Sequence, residues 1–553
     1  MLDDFKFGER CTMCKKLACL IYFVLLLYLS SLVQATDYYV SPFGSDFNAG
    51  TSPAKAWQSI DKVNSKTFEA GDNIFFEGGI MFNGSLEFEA NDSGTRFNPL
   101  TVGSYGTRRA TINSGDRHGL YAKNCAGLVV KDLIFVGAGS TVKANFSGIY
   151  FFTDLVNIKP EYVRTDNVEV SGYRQTGILI GGSRRGNSGF KDVRITNAEV
   201  HDNGDKGISS FGSKPPGDWP HRDIYVGNCK VYDNAGFSDP TSWSHHGNGI
   251  VLSAVDSAII EFCQAYNNGA LCDTKGGGPV GIWAYDANNV IIQFCEAHHN
   301  KTSGGDGGGF DLDGGCVNSI MQYNYSHDNH GAGYLICQYR GAREFKDNVC
   351  RYNITENDAI ACAYPMGAIH FYSSGSSGGI QNTQVYNNTV YVSAATRGAG
   401  IEIDSGYIYN TAIYNNIILT ASGKLVVDSN DTAGGWSFKG NCYWTYGDNV
   451  EIKWGHKTYT SLAAWRAATG QEQLGDSDVG FEVDPKLTNP GGGGTVGDPH
   501  LLGTLDAYRL HGSSPLIDAG LDLRTLFGID PGKHDFYRNP LSQGGKPNVG
   551  AAE

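Results

Sequence analysis

Asp311 and Asp313 stand two residues apart in the segment GGFDLD (308–313). In an extended chain alternate side chains share a face, so the two carboxyls project together with Cα atoms about 6.6–7 Å apart. Carboxyl groups about 6.5–9.5 Å apart suit an inverting glycosidase, one as general acid and one as base toward water. The same pair suits Ca²⁺, which gathers carboxylate oxygens at about 2.3–2.6 Å. Asp306, in the Gly-rich run SGGDGGG just upstream, could join either site. A solvated Gly/Asp turn is the third reading, and the spacing alone leaves all three open.

What positions these residues is a repeat. Short segments that open on a small residue and alternate apolar side chains recur along the chain, among them GIVLS (249–253), GIWAY (281–285), GFDLD (309–313), GYLIC (333–337), AIHFY (368–372), GIEID (400–404) and KLVVD (424–428). A second recurring strand runs into the anchors Asn197, Asn228, Cys263, Cys295, Asn324, Asn353, Asn388 and Asn416. Their spacing of roughly 28–35 residues is that of a solenoid. Strand-length runs split by Gly, Asn and Asp turns, without helical periodicity, make each unit a coil of β-strands. The expectation is an all-β single parallel β-helix of about ten coils.

Superposing the segments puts the second and fourth residues inside and the third and fifth on one outward strip. Along that strip come Trp283/Tyr285, Asp311/Asp313, Leu335/Cys337, His370/Tyr372, Glu402/Asp404 and Val426/Asp428. Aromatics beside paired acids suit a sugar chain lying along the axis, since coils repeat about every 4.8 Å, near the length of one sugar unit. Trp283, Tyr285, His370, Tyr372, Glu402 and Asp404 are therefore candidate substrate contacts. Glu402 is three coils, about 14 Å, from Asp311, too far to share one ion with it. His246, Asp306 and His330 each precede their strand's first residue by three and are expected to align along the rim, the histidines as subsite or acid/base candidates.

Composition narrows the classes. Of 553 residues 74 are Gly, natural for a turn-rich coil, and the net charge of −14 excludes the basic surface that nucleic acid requires. Lys15 and Lys16, an apolar run from Leu17 to Val33 and Val-Gln-Ala at 33–35 read as a secretory signal cleaved after Ala35, an uncleaved anchor being the other reading. The remaining organisation is an N-terminal cap with the first strands (36–120), coils (121–445) and a C-terminal cap region (446–553), in which SLAAWRAATG reads as a helix with a Ser start and a Gly stop. Capped ends favour a monomer, secreted or held at the cell surface, with no membrane contact after signal removal. Cys263 and Cys295 stack in successive coils, where export would permit a bridge; free thiols packed as small hydrophobes are the favoured reading. Eight Asn-x-Ser/Thr sequons occur, of which Asn324 and Asn353 fall on repeat anchors and point inward.

The opening YYVSPFGSDFNAGTSPAKAW, the coil pattern, and the closing AAWRAATGQ, DPKL, SPLIDAG and NVGAAE resemble secreted right-handed parallel β-helix proteins of the pectate-lyase-like superfamily. The resemblance covers nearly the whole chain after the leader. It implies the fold, and an enzyme acting on polysaccharide, without choosing the chemistry. Three functions stay open. Glycoside hydrolysis by Asp311 and Asp313, supported by Asp306, comes first and needs no cofactor. A Ca²⁺-dependent uronate lyase comes next, with Asp311 and Asp313 as metal ligands and Lys275, Arg340 or Arg343 as base. It needs the ion because an acidic strip repels a uronate. A non-catalytic glycan-binding or adhesive solenoid is third.

Overall fold

The structure is a computed structural model that describes residues 35–213, 218–375, 378–396, 398–428, 435–447, 449–541 and 546–553. The segment read as a secretory signal, up to Gln34, lies outside the described residues, as does the sequon Asn430. Among the described residues no helix is long and apolar enough to cross a membrane.

The chain winds as an all-β parallel solenoid with three strand columns per turn. Two columns belong to one 26-stranded sheet, because two strands, Asn248–Glu261 and Val280–Gln293, run unbroken around the bend between them. The third column is a separate sheet of 13 strands. The strands that carry the strip are labelled β1 (Asn248–Glu261), β2 (Val280–Gln293), β3 (Gly308–Leu312), β4 (Tyr334–Gln338), β5 (Gly367–Ser373), β6 (Ala399–Ser405) and β7 (Lys424–Asp428). Their register runs Ile250–Ile282–Phe310–Tyr334–Ile369–Ile401–Val426, all parallel. Parallel stacking begins at once, with Asp37–Val40 against Asn73–Glu77, so coils precede residue 121.

Alternation does what the sequence pattern requires. Ile282, Ala284, Phe310, Leu312, Ile369, Phe371, Ile401 and Ile403 are all buried in one continuous core. The opening glycines follow from close stacking: a Cβ on Gly249 would lie 2.2 Å from the Gly281 carbonyl oxygen of the next coil. In β7 the expected alignment is off by one. A bulge between Lys424 and Val426 places Val426 inside, in register with Ile401, and Asp428 opposite Ile403. Neither lies on the outward strip.

The anchors resolve into two adjacent columns. Asn197 and Asn228 are exposed, at φ 52° and 57°, in the left-handed bend between second and third strands. The next residue points inward, and there Cys229, Cys263 and Cys295 stack as free thiols. The column continues as a buried amide ladder, Asn324 to Asn353 (Nδ2 to Oδ1, 3.1 Å), to Asn388 (3.0 Å), to Asn416 (2.9 Å), to Asn441 (2.9 Å). A second ladder runs Asn203, Asn234, Asn268, Asn300, Asn329. An amide both donates and accepts, so it can extend a ladder; a carboxylate only accepts and must end one. Both ladders end so, on Asp358 (2.7 Å) and on Glu472 (2.7 Å). The sequons Asn300, Asn324, Asn353 and Asn387 are buried, which leaves those amides no room for a glycan.

Burial pushes the two terminators up, Asp358 to about 6 and Glu472 to about 7. A carboxyl whose folded pKa exceeds its unfolded value binds its proton more tightly when folded, so its stabilisation is lost as pH rises from the unfolded pKa through the folded one. Thermal unfolding is expected to shift to lower temperature between about pH 4.5 and 7. Glu472→Gln, measured by calorimetry across that range, is expected to flatten the decline.

The C-terminal region caps and straps. The predicted helix is Leu462–Thr469, with Ser461 Oγ accepting from Ala464 N–H and Gly470 closing it at φ 71°. Its buried Trp465 packs on Phe438, Trp454 and Tyr443, with ring centroids 5.4–5.9 Å apart, and covers the last coil. The chain then runs back along the 13-stranded sheet. Val496 and Gly497 N–H donate to Glu296 (2.6 and 2.8 Å), and His500 meets Asn228 Oδ1 at 2.8 Å.

Candidate active site

Strand register brings the strip together as two rows. One row is Trp283–Asp311–Leu335–His370–Glu402. Beside it run Cys337, Tyr372 and Asp404, also in register, with Asp313 N–H bonded to Ala284 O at the same level of the preceding coil. The spacing argument for Asp311 and Asp313 thus corresponds to a real shared face.

The strip is not open to solvent as a bare sheet would be. Trp283, Asp311, Leu335, His370 and Glu402 are all buried. Excursions that leave each coil before its strand fold over the strip. One is the segment around 359–366, which the sequence reading passed over: Ala359 and Met366 pack on Leu335. From it Tyr364 reaches back and donates its O–H to Asp306 Oδ1 at 2.6 Å. Opposite, Gly278 N–H donates to Asp306 Oδ2. Asp306 itself sits at φ 52°, a strained setting held by those two donors.

Each aspartate has a distinct environment. Asp306 is buried, which raises its pKa, while the Tyr364 and Gly278 donors favour the ionised form. Asp311 is 3% exposed, and its Oδ1 has no hydrogen-bond partner. Burial first, then the charges of Asp313 and Asp306, holds its carboxyl well above the usual carboxylate range. Asp313, the most exposed of the three, accepts from Gly314 N–H at 2.7 Å and bonds the Cys337 thiol. Burial, with Asp306 and Asp286 adding, moves it to about 7. A carboxyl poised near neutrality can give and take a proton at working pH.

Asp286 is a fourth carboxyl that the sequence reading missed. It is buried directly after Tyr285, and its charge raises both Asp313 and Tyr339. The signal was present, because Asp286 follows the aligned segment GIWAY by one residue, but the comparison stopped at the fifth position.

The other candidates are placed as follows. Trp283 does not lie exposed as expected. Its Nε1 donates to Asn248 Oδ1 at 3.1 Å, and its ring stacks on Tyr285 at 5.2 Å. His245, rather than His246, meets it, 5.4 Å between ring centroids, and burial lowers His245 to about 4. His246 stacks on Phe237 at 3.6 Å, and its charged neighbours are Asp205, Asp239, Lys206 and Arg174, not Asp306, Asp311 or Asp313. His330 holds Thr302 through its Nδ1, so the expected line His246–Asp306–His330 is not a row of ligands. His370 is lowered to about 4 by burial, with Asp404 opposing, and leaves a buried Nδ1 without a hydrogen-bond partner. Tyr372 is 38% exposed.

These placements separate two effects. Tyr285→Ala is expected to raise KM with little change in thermal stability. Trp283→Ala, which empties a buried site, is expected also to cost about 3–5 kcal/mol, read as a lowered denaturant midpoint.

The family model described as right handed beta helix region matches residues 154–349 and 219–418. A lacto-N-biosidase of Bifidobacterium longum subsp. longum is 22% identical over 94% of this chain, and this chain spans 36% of that protein's length. Among solved structures, a GH136 lacto-N-biosidase from Eubacterium ramulus superposes with a TM-score of 0.50 at 17% identity, covering 66% of this chain and 65% of that one. The pectate lyase Pel9A superposes with a TM-score of 0.39 at 16% identity, over 94% and 97% of the two chains. The family model describes the right-handed parallel β-helix, and the likeness to the GH136 structure is one of fold.

Proposed function

We propose that this right-handed parallel β-helix protein, of the pectate-lyase-like superfamily, is a secreted glycoside hydrolase whose acid and base are Asp313 and Asp306. The observation that carries the reading is the different treatment of neighbouring carboxyls in one walled strip. Asp306, fixed by Tyr364 O–H and Gly278 N–H, serves as the ionised carboxylate that stabilises or attacks the sugar, or activates water. Asp313, brought to about 7, protonates the leaving oxygen. Burial and the neighbouring acids favour the neutral form of Asp311, which limits the negative charge in the site. The sequence reading paired Asp311 with Asp313; burial and the donors at Asp306 favour Asp306 with Asp313.

Hydrolysis is favoured over a Ca²⁺-dependent lyase because Asp306 and Asp313 are each already engaged by their own donors, Tyr364 O–H and Gly278 N–H for the first and Gly314 N–H for the second. Among the described residues, the groups whose ligand atoms converge within 4.8 Å are Glu296/His298/His327 and His299/His327/Asp328, and none of the strip aspartates is in them. The relatives named lacto-N-biosidase make oligosaccharides ending in lacto-N-biose the first substrates to try, beside neutral β-glycans and uronate polymers.

The test follows reducing ends and ultraviolet absorbance on that panel, with and without a chelator. New reducing ends without an unsaturated product, unaffected by chelation, are expected. An unsaturated product lost on chelation would replace the reading with the lyase, and silence on every substrate with the binding solenoid. In the pH dependence of kcat/KM, activity is expected to fall as pH rises through about 7 and Asp313 loses its proton.

A further inference from the structure

We propose that Glu296, His298 and His327 form a binding site for a borderline transition-metal dication of the Zn²⁺ class, on the strap-covered face away from the strip. Glu296 and His298 lie two residues apart on the third strand of one coil, and His327 stands in register with His298 on the next. All three are buried, and one ligand atom of each lies within 4.8 Å of the others.

The hydrogen bonds orient both imidazoles the same way. His327 Nδ1 meets Asp328 Oδ2 at 2.9 Å, and His298 Nδ1 meets His299 Nδ1 at 2.9 Å. With Nδ1 engaged, the Nε2 of each ring faces the cluster: that of His298 is buried without a hydrogen-bond partner, and that of His327 faces Glu296. For His327, the Asp328 carboxylate behind the distal nitrogen is the arrangement that fixes the tautomer and basicity of a metal-bound histidine. The rings lie parallel with centroids 4.7 Å apart.

The geometry is close to that of a bound ion. His327 Nε2 stands 3.4 Å from Glu296 Oε1, near the ligand–ligand edge of a tetrahedron with bonds of about 2.1 Å. A water would complete four-coordination. Two imidazoles and one carboxylate suit Zn²⁺ and its neighbours better than Ca²⁺, which prefers oxygen. Because Glu296 also accepts Val496 and Gly497 N–H, the ion would tie the coil column to the returning C-terminal strap. The proposal is independent of the hydrolytic reading.

The untagged full chain, stripped with chelator, is titrated with Co²⁺ and Zn²⁺. One equivalent of Co²⁺ is expected to give the visible d–d bands of a tetrahedral site. Zn²⁺ is expected to displace it and bleach the bands. Asp328→Asn is expected to weaken binding by about 10–100-fold while one equivalent still binds, and His298→Gln to abolish the bands. Absence of the bands in folded wild-type protein, or bands unchanged in His298→Gln, overturns the proposal.

Discussion

Asp313→Asn is expected to lower kcat on a natural glycan by about 10²–10⁴-fold with the unfolding transition unmoved. Asparagine keeps the shape and can still accept Gly314 N–H, but it has no proton to give a leaving sugar. Asp313 is the least buried of the three aspartates and lies outside the apolar core, so its replacement leaves packing intact. The variant's residual rate should also lose the alkaline fall near pH 7, since the group that titrates there is gone. Steady-state rates across pH, beside circular dichroism of the same preparation, check both halves. A variant with full activity would remove Asp313 from the chemistry.

Asn353→Leu is expected to cost several kcal/mol of stability without touching the strip. Asn353 Oδ1 accepts from Asn324 N–H and Nδ2–H, while its own Nδ2 donates to Asn388 Oδ1 and Met321 O. A leucine there strands those buried groups, at about 1–3 kcal/mol for each left unsatisfied. Asn353→Asp gives an internal comparison: it still accepts from Asn324 but cannot donate onward, as Asp358 and Glu472 do only where a ladder ends. Denaturant unfolding is expected to rank wild type above Asp and Asp above Leu. Equal stability of all three would mean that the ladder contributes nothing beyond packing.

The fold was legible because its rule is local. Strand alternation and the recurring small-residue openings identify the inside of each coil without knowledge of neighbours, and Ile282, Phe310 and Ile401 fall where that rule sends them. It failed where one residue of slack entered, at the β7 bulge and at Asn197 and Asn228, which mimic the ladder asparagines one position early. The strip was legible as a set of residues and illegible as an environment. Asp311 and Asp313 share their face, but whether Trp283 is open or roofed depends on excursions whose paths no periodicity encodes. Tyr364 reaches Asp306 from 58 residues away, and His245 rather than His246 turns toward Trp283. The C-terminal strap was hidden for the same reason: its contacts to Glu296 span 200 residues and leave no pattern within either segment.

The division of labour between Asp306 and Asp313 is tested most directly by leaving-group dependence. Wild type, Asp313→Asn and Asp306→Asn are compared on the natural glycan and on a dinitrophenyl glycoside of the same sugar. Dinitrophenolate departs without a proton, so Asp313→Asn should recover most of its glycosylation rate on the aryl substrate, whereas Asp306→Asn should stay inactive on both. Equal loss on both substrates for Asp313→Asn, or activity retained by Asp306→Asn, would contradict the account.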